Sequence, residues 1–232
     1  MLKENFYIGK TPTVVYGDKS DKVFIFVHGK GGNKEEGERF AKVALYSDYQ
    51  VISVDLPEHG NRKDGVKFVP WEVVPELQKV YAYARGGWKK IAVRATSIGS
   101  YFSLLAFNRE RFEKCLFASP LLDMENMIDG LMKLSGVTEE RLEKEGEIPT
   151  DYGETLSWKY LLYARENPVA AISRKTSLLY ATGDEMISRC TVEKFAKENK
   201  CRLTIMDGGE HWLHMPEEVK FMEEWERENI AD

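Results

Sequence analysis

The sequence predicts an α/β fold, with a mostly parallel central sheet, helices on both faces and a small helical cap inserted between two strands. Short runs of β-branched and aromatic residues alternate with segments of helical periodicity, as βαβ units require. Several runs are apolar throughout, which is typical of strands covered on both faces. The chain of 232 residues suits one domain of this kind, residues 1–232.

The N-terminal elements predict the edge and the start of this sheet. Residues 6–9 and 13–16 are β-prone pieces that indicate an antiparallel hairpin at a sheet edge. Residues 22–28 are almost entirely apolar and predict a central strand. A helix over 35–46 and a strand over 51–55 follow.

The middle of the chain continues the alternation. A helix is expected over 71–85, with Pro75 in its first turn if the helix begins near Val73, and Gly86-Gly87 should end it. Residues 89–95 predict a buried strand that breaks at Ser97 into a helix. Another short buried strand is predicted within 114–120.

Residues 121–173 interrupt the rhythm and are predicted to form the cap. Methionines and aromatic residues recur there at helical spacing. One interpretation is a helical insertion that simply buries its apolar face. The other is a lid whose apolar face lines an acyl pocket, and the two are compatible. The remaining elements are a strand over 176–182, a helix over 191–200, a strand over 202–206 and a helix over 217–228.

Ser97 lies at the strand-to-helix corner, where its hydroxyl would be exposed at the carboxyl end of the sheet beside the first N–H groups of a helix. The run Ala95-Thr96-Ser97-Ile98-Gly99 resembles the nucleophile elbow Gly-x-Ser-x-Gly of the α/β-hydrolase superfamily, with alanine in place of the first glycine. Small residues two before and two after the serine let such a turn close. A serine that merely caps an ordinary helix is the alternative.

The glycine-rich loop His28-Gly29-Lys30-Gly31-Gly32 follows the predicted central strand. A phosphate cradle is one interpretation, but neither Gly-x-x-x-x-Gly-Lys-Ser/Thr nor Gly-x-Gly-x-x-Gly is present. The loop also resembles the His-Gly segment of α/β-hydrolases, and the resemblance implies that the Lys30 and Ile98 N–H groups form an oxyanion hole. His28 is expected to brace the loop.

A serine hydroxyl needs an imidazole as base, and the imidazole needs a carboxylate to orient it. Asp184 and His211 each follow a predicted strand, so Ser97, Asp184 and His211 can meet at one rim of a parallel sheet. Their segments and their chain order resemble the acid and base segments of α/β-hydrolases. Asp184 as a helix cap and His211 as a packed loop residue remain alternatives. Asp207 and His214 are the competing acid and base.

The segment 55–61 is similar to a structural turn of the same superfamily, so a chemical role for His59 is not favoured, while Arg62 and Lys63 are placed at the rim of a cleft. The net charge of −5 gives no support to nucleic-acid binding. Three cysteines without metal-like spacing indicate reduced thiols. No signal sequence or apolar run of about 18 residues is visible, so a cytoplasmic location away from membranes is expected.

The residues and the resemblance together predict a serine hydrolase that cleaves esters of small to medium apolar acyl groups through an acyl-enzyme on Ser97. The expected partner is a small-molecule acyl substrate, with no metal and no organic cofactor, and the oligomeric state is left open. A thioesterase, a peptidase and a non-catalytic ligand-binding member of the same fold are the alternatives.

Overall fold

The computed structural model describes residues 1–231 and contains an eight-stranded sheet in the order β1-β2-β4-β3-β5-β6-β9-β10. Its first two pairings, β1 with β2 and β2 with β4, are antiparallel, and the other five are parallel. The predicted fold class is therefore confirmed. The strands are β1 Lys3–Ile8, β2 Thr11–Tyr16, β3 Lys22–Val27, β4 Tyr49–Val54, β5 Lys90–Thr96, β6 Cys115–Ala118, β9 Thr176–Ala181 and β10 Arg202–Met206.

Helices cover both faces of the sheet because strand residues alternate between two apolar cores. In β3, Val23, Ile25 and Val27 pack on the face covered by α2, α3 and α7, whereas Phe24 and Phe26 pack on the face covered by α1 and α8. These helices are α1 Gly37–Ala44, α2 Pro70–Gly87, α3 Ile98–Ala106, α7 Arg189–Asn199 and α8 Pro216–Ala231. Within the described part of the chain, no helix is long and apolar enough to cross a bilayer.

Helix α2 starts earlier and ends later than the sequence predicts. It begins at Pro70, not near Val73, because a proline with its fixed φ and missing N–H suits the first helical position. Pro75 therefore lies inside the helix, where the only bond it removes is the one to the carbonyl of Trp71 in the first turn. Gly86 and Gly87 also remain helical.

The insertion between β6 and β9 contains helices and a small hairpin. Its elements are α4 Met124–Leu134, α5 Glu139–Glu145, β7 Glu147–Pro149, β8 Thr155–Ser157 and α6 Trp158–Glu166. The hairpin of β7 and β8 was not predicted, whereas α4, α5 and α6 agree with the helical spacing expected over 121–173. Arg165 joins the three helices, because its guanidinium bonds Glu125 on α4 at 2.8 Å and Glu139 on α5 at 2.6 Å.

Candidate active site

Ser97 occupies a strained corner between β5 and α3. Its φ of 51° and ψ of −126° lie in a region that residues with a side chain rarely adopt. Gly99 makes the corner possible, because a Cβ there would overlap the carbonyl oxygen of His28 and lie 2.8 Å from that of Val27. Ala95 is fully buried, with Val27 and Phe117 opposite it on the neighbouring strands. Close packing therefore explains why both of these positions of the predicted elbow carry small residues.

His211 joins Ser97 to Asp184 in one hydrogen-bonded chain. The Asp184 carboxylate accepts the Nδ1–H of His211 at 2.7 Å, so Nε2 is left as the acceptor that faces Ser97 Oγ at 2.8 Å. All three residues are buried. The structure therefore brings together the three side chains that the sequence analysis selected, with the tautomer that proton removal from the serine needs.

Backbone amides hold the Asp184 carboxylate in place. Its second oxygen, Oδ1, accepts the N–H of Met186 at 2.8 Å and that of Ile187 at 2.9 Å, in the turn that leads to α7. One oxygen of the carboxylate therefore holds this turn, while the other orients His211. The competitors lie elsewhere: Asp207 accepts a hydrogen bond from Thr182, and His214 is exposed, 4.0 Å from Glu218.

The His211 loop is held by Glu218, a residue that sequence reasoning missed. Glu218 lies in the first turn of α8 and is only 3% exposed. Its Oε1 accepts the N–H of Glu210 at 2.8 Å, and its Oε2 accepts that of Met215 at 2.9 Å, so its two bonds span the loop. The only sequence signal for this role was an acidic residue in the first turn of the last predicted helix.

The backbone N–H groups of Lys30 and Ile98, the predicted oxyanion donors, have no acceptor within the described part of the chain. Ile98 is the first residue of α3, so its N–H has no acceptor within the helix. Among residues 1–231, nothing accepts the N–H of Lys30. Gly29 precedes Lys30 and packs on Ser97, since a Cβ on Gly29 would lie 3.3 Å from that of Ser97.

The glycine-rich loop is supported by two histidines, each of which accepts a backbone N–H on Nε2. His28 donates from Nδ1 to the Gly29 carbonyl at 2.7 Å and accepts the Leu56 N–H on Nε2 at 3.0 Å. Burial lowers the pKa of His28 to about 4, which keeps this pairing intact at neutral pH. His59, for which no role was favoured, accepts the Gly31 N–H on Nε2 at 2.9 Å.

The turn after β4 is built around Asp55 and Arg62, both buried. Asp55 accepts the Lys34 N–H at 2.8 Å and the Asn61 N–H at 3.0 Å, which links this turn to the glycine-rich loop. The prediction that Arg62 rims a cleft is wrong: its guanidinium forms ion pairs of 2.7 Å with both Asp64 and Glu76. An arginine with two carboxylate partners nearby is satisfied below the surface.

A cleft of about 700 Å³ opens above Ser97 and His211, and we call it the serine cleft. The glycine-rich loop forms one wall, and Trp212 to His214 and α8 form another. Within residues 1–231 there is no group of three or more His, Cys, Asp or Glu side chains arranged to hold a metal ion.

The chain is similar to known proteins in its fold alone. Neither a family model nor a curated protein sequence matches the chain. Est1E from Butyrivibrio proteoclasticus, solved with ferulic acid bound, is 18% identical, with a TM-score of 0.76 over 99% of this chain and 100% of that one. Mouse alpha/beta hydrolase domain-containing protein 10 is 12% identical, with a TM-score of 0.75 over 100% and 99%.

The esterase Pf2001 of Pyrococcus furiosus is 15% identical, with a TM-score of 0.69 over 99% of this chain and 90% of that one. Each of these three alignments covers almost the whole of this chain, at identities that show the fold alone. The protein therefore has the α/β-hydrolase fold.

Proposed function

We propose that the protein is a serine hydrolase that cleaves carboxylic esters of small molecules through an acyl-enzyme on Ser97. The observation that carries the proposal is the buried hydrogen-bonded chain from Ser97 through His211 to Asp184. A hydroxyl with an oriented imidazole nitrogen at 2.8 Å is the arrangement that nucleophilic acyl transfer requires.

In the proposed reaction, Ser97 Oγ attacks the ester carbonyl carbon while His211 Nε2 takes the hydroxyl proton. The imidazolium, stabilised by Asp184, returns this proton to the departing alkoxide, and the C–O bond to the alcohol breaks. Water then attacks the acyl-enzyme with the same histidine as base. The acid is released, and the proton returns to the Ser97 oxygen.

The developing oxyanion would be bound by the N–H groups of Lys30 and Ile98. The N-terminus of α3 adds the positive end of a helix dipole. Such donors are fixed before the reaction, so they stabilise the transition state without reorganisation, and one donor typically contributes about 3 kcal/mol. Gly31, directly after Lys30, has open space where a side chain would stand, which leaves the backbone there accessible to a substrate.

Labelling with a fluorophosphonate tests the proposal directly. The wild-type protein should form one covalent adduct at Ser97, and Ser97→Ala should abolish both the adduct and the hydrolysis of p-nitrophenyl butyrate. Ser100→Ala is the matched control, because its buried hydroxyl lies three residues further along α3 without a partner in the described chain. A folded wild-type protein that resists labelling would instead be a ligand-binding module.

Thioesters and peptides are the other acyl substrates that this arrangement could cleave. Two of the structures with a similar fold are esterases, which supports an oxygen ester as the substrate of this protein. Butyryl esters, butyryl thioesters and butyryl anilides share the acyl group and differ in the leaving group. Comparing their kcat/KM values separates the three activities, and we expect the oxygen ester to be preferred.

A further inference from the structure

A second cleft of about 1030 Å³ adjoins the serine cleft. The two clefts share Lys30, Gly31, Gly32 and Trp212, so they meet at the glycine-rich loop and at the residue after His211. One wall of the second cleft comes from residues 58–71, and the other comes from residues 147–160 of the insertion. A molecule with its ester carbonyl at Ser97 could therefore extend one of its two halves beneath the insertion.

Five aromatic rings line this second cleft, which we call the aromatic cleft: Phe68, Trp71, Tyr152, Tyr160 and Trp212. Contacts between rings fix part of this wall, since Trp71 meets Tyr160 edge to face with centroids 6.0 Å apart. Trp212 is 55% exposed and Tyr152 is 47% exposed. Large aromatic side chains that remain this exposed around one cleft indicate a ligand contact surface.

The charged residues of the aromatic cleft are largely paired with one another. Lys67 lies 3.0 Å from Glu58, and Lys30 pairs with Glu154 where the two clefts join. Paired charges do not call for a charged ligand. The wall therefore favours a neutral, planar group that interacts through its ring faces and edges.

We infer that the preferred ester carries an aromatic ring, bound in the aromatic cleft while the carbonyl lies at Ser97. This inference rests on the proposed function and specifies its substrate class. The ring belongs to the acyl half or to the alcohol half of the ester, and the same walls would bind it in either case.

Two matched substrate pairs test the inference. Methyl 3-phenylpropanoate and methyl 3-cyclohexylpropanoate differ only in the aromaticity of a ring in the acyl half, and benzyl acetate and cyclohexylmethyl acetate do the same for the alcohol half. In one pair the aromatic member should have a kcat/KM about tenfold higher, as ring–ring contact beyond simple burial predicts. The pair that shows the preference identifies the half that carries the ring.

Variants of the cleft should remove this preference. Trp71→Leu should bring the aromatic-to-saturated ratio close to one, whereas Trp88→Leu, at the other end of α2, should retain it. If Trp71→Leu fails to fold, Tyr152→Leu on the exposed rim serves the same purpose, with Tyr46→Leu, 85% exposed and remote from the cleft, as its control.

The outcomes separate the inference from the proposed function. A protein that labels at Ser97 and hydrolyses methyl butyrate, yet shows no aromatic preference in either pair, overturns the inference alone. If Ser97 does not label, calorimetric titration of Ser97→Ala with the same esters still decides the matter. Tighter binding of an aromatic member supports an aromatic-ring site, and equal affinities reject it.

Discussion

Removing the Glu218 carboxylate should loosen the loop that carries His211. Glu218 is buried and accepts the N–H groups of Glu210 and Met215, one on each side of the histidine. A hydrogen bond to a charged group contributes roughly 1.5–3 kcal/mol, and an orphaned buried donor costs a similar amount. Glu218→Ala should therefore lower the free energy of unfolding by about 3 kcal/mol, with part of the loss offset by water reaching the freed amides.

Urea unfolding and ester hydrolysis, measured on the same samples, check this reasoning. The kcat of Glu218→Ala should fall even where the protein is fully folded, because His211 is no longer held at 2.8 Å from Ser97. Glu217→Ala is the control, since Glu217 is exposed in the same helical turn. Stability within about 0.5 kcal/mol of wild type, together with an unchanged kcat, would show that the loop does not depend on these bonds.

The pH dependence of stability gives a separate readout of the same carboxylate. Burial alone would raise the pKa of Glu218. The N–H groups of Met215, Glu210 and His214 stabilise the carboxylate by more than this, so the net pKa lies below its ordinary 4.5. The stabilisation is thus present above pH 4.5 and is lost as the pH falls through the lower native pKa. Glu218→Ala should flatten the stability profile in this acidic window.

Three further predictions concern the scaffold around the site. Gly99→Ala should lower the free energy of unfolding by at least about 2 kcal/mol in urea, because its Cβ meets backbone, whereas Gly86→Ala, with open space around it, should be neutral or stabilising. Arg94→Met should lower the free energy of unfolding by about 3–5 kcal/mol in the same assay, because it leaves the buried Glu226 without its cationic partner. The double variant with Glu226→Leu should recover much of this stability. Because burial lowers the pKa of His28 from 6.5 to about 4, up to about 3 kcal/mol of stability should be lost as the pH falls from 6.5 to 4, and His28→Gln should reduce this slope.

The elements predicted best are those whose burial appears in the sequence as an uninterrupted run of apolar residues. Strands such as β3 are apolar on both faces because both faces are covered, so no alternation is needed to recognise them. The ends of parallel strands lie along one edge of the sheet, so Ser97, Asp184 and His211, each following a strand, could be expected to meet there. Their resemblance to the acid and base segments of α/β-hydrolases completed this prediction.

The hairpin of β7 and β8 was missed because it leaves almost no pattern. Each strand has three residues, and each buries only one of them, Ile148 in β7 and Leu156 in β8. Period-two alternation cannot be recognised over three positions, and Leu156 continues equally well into the helical spacing of α6. Arg62 was misplaced for a related reason: an arginine in a polar turn is exposed by default, and only its distant partner Glu76 buries it.

The supports of the site loops escaped prediction because each one pairs a side-chain acceptor with a backbone donor. His59 accepts from Gly31, Asp55 from Lys34 and Asn61, and Glu218 from residues 210 and 215. Every residue except proline carries the same backbone N–H donor, so the sequence does not show which N–H a given side chain will bind. The partner is determined only by the folded structure. These acceptors hold both the glycine-rich loop and the His211 loop. Among them, the Glu218 carboxylate loses its negative charge as the pH falls through its lowered pKa. The proposed hydrolase should therefore lose the geometry of the His211 loop in acid through a group that never touches the substrate.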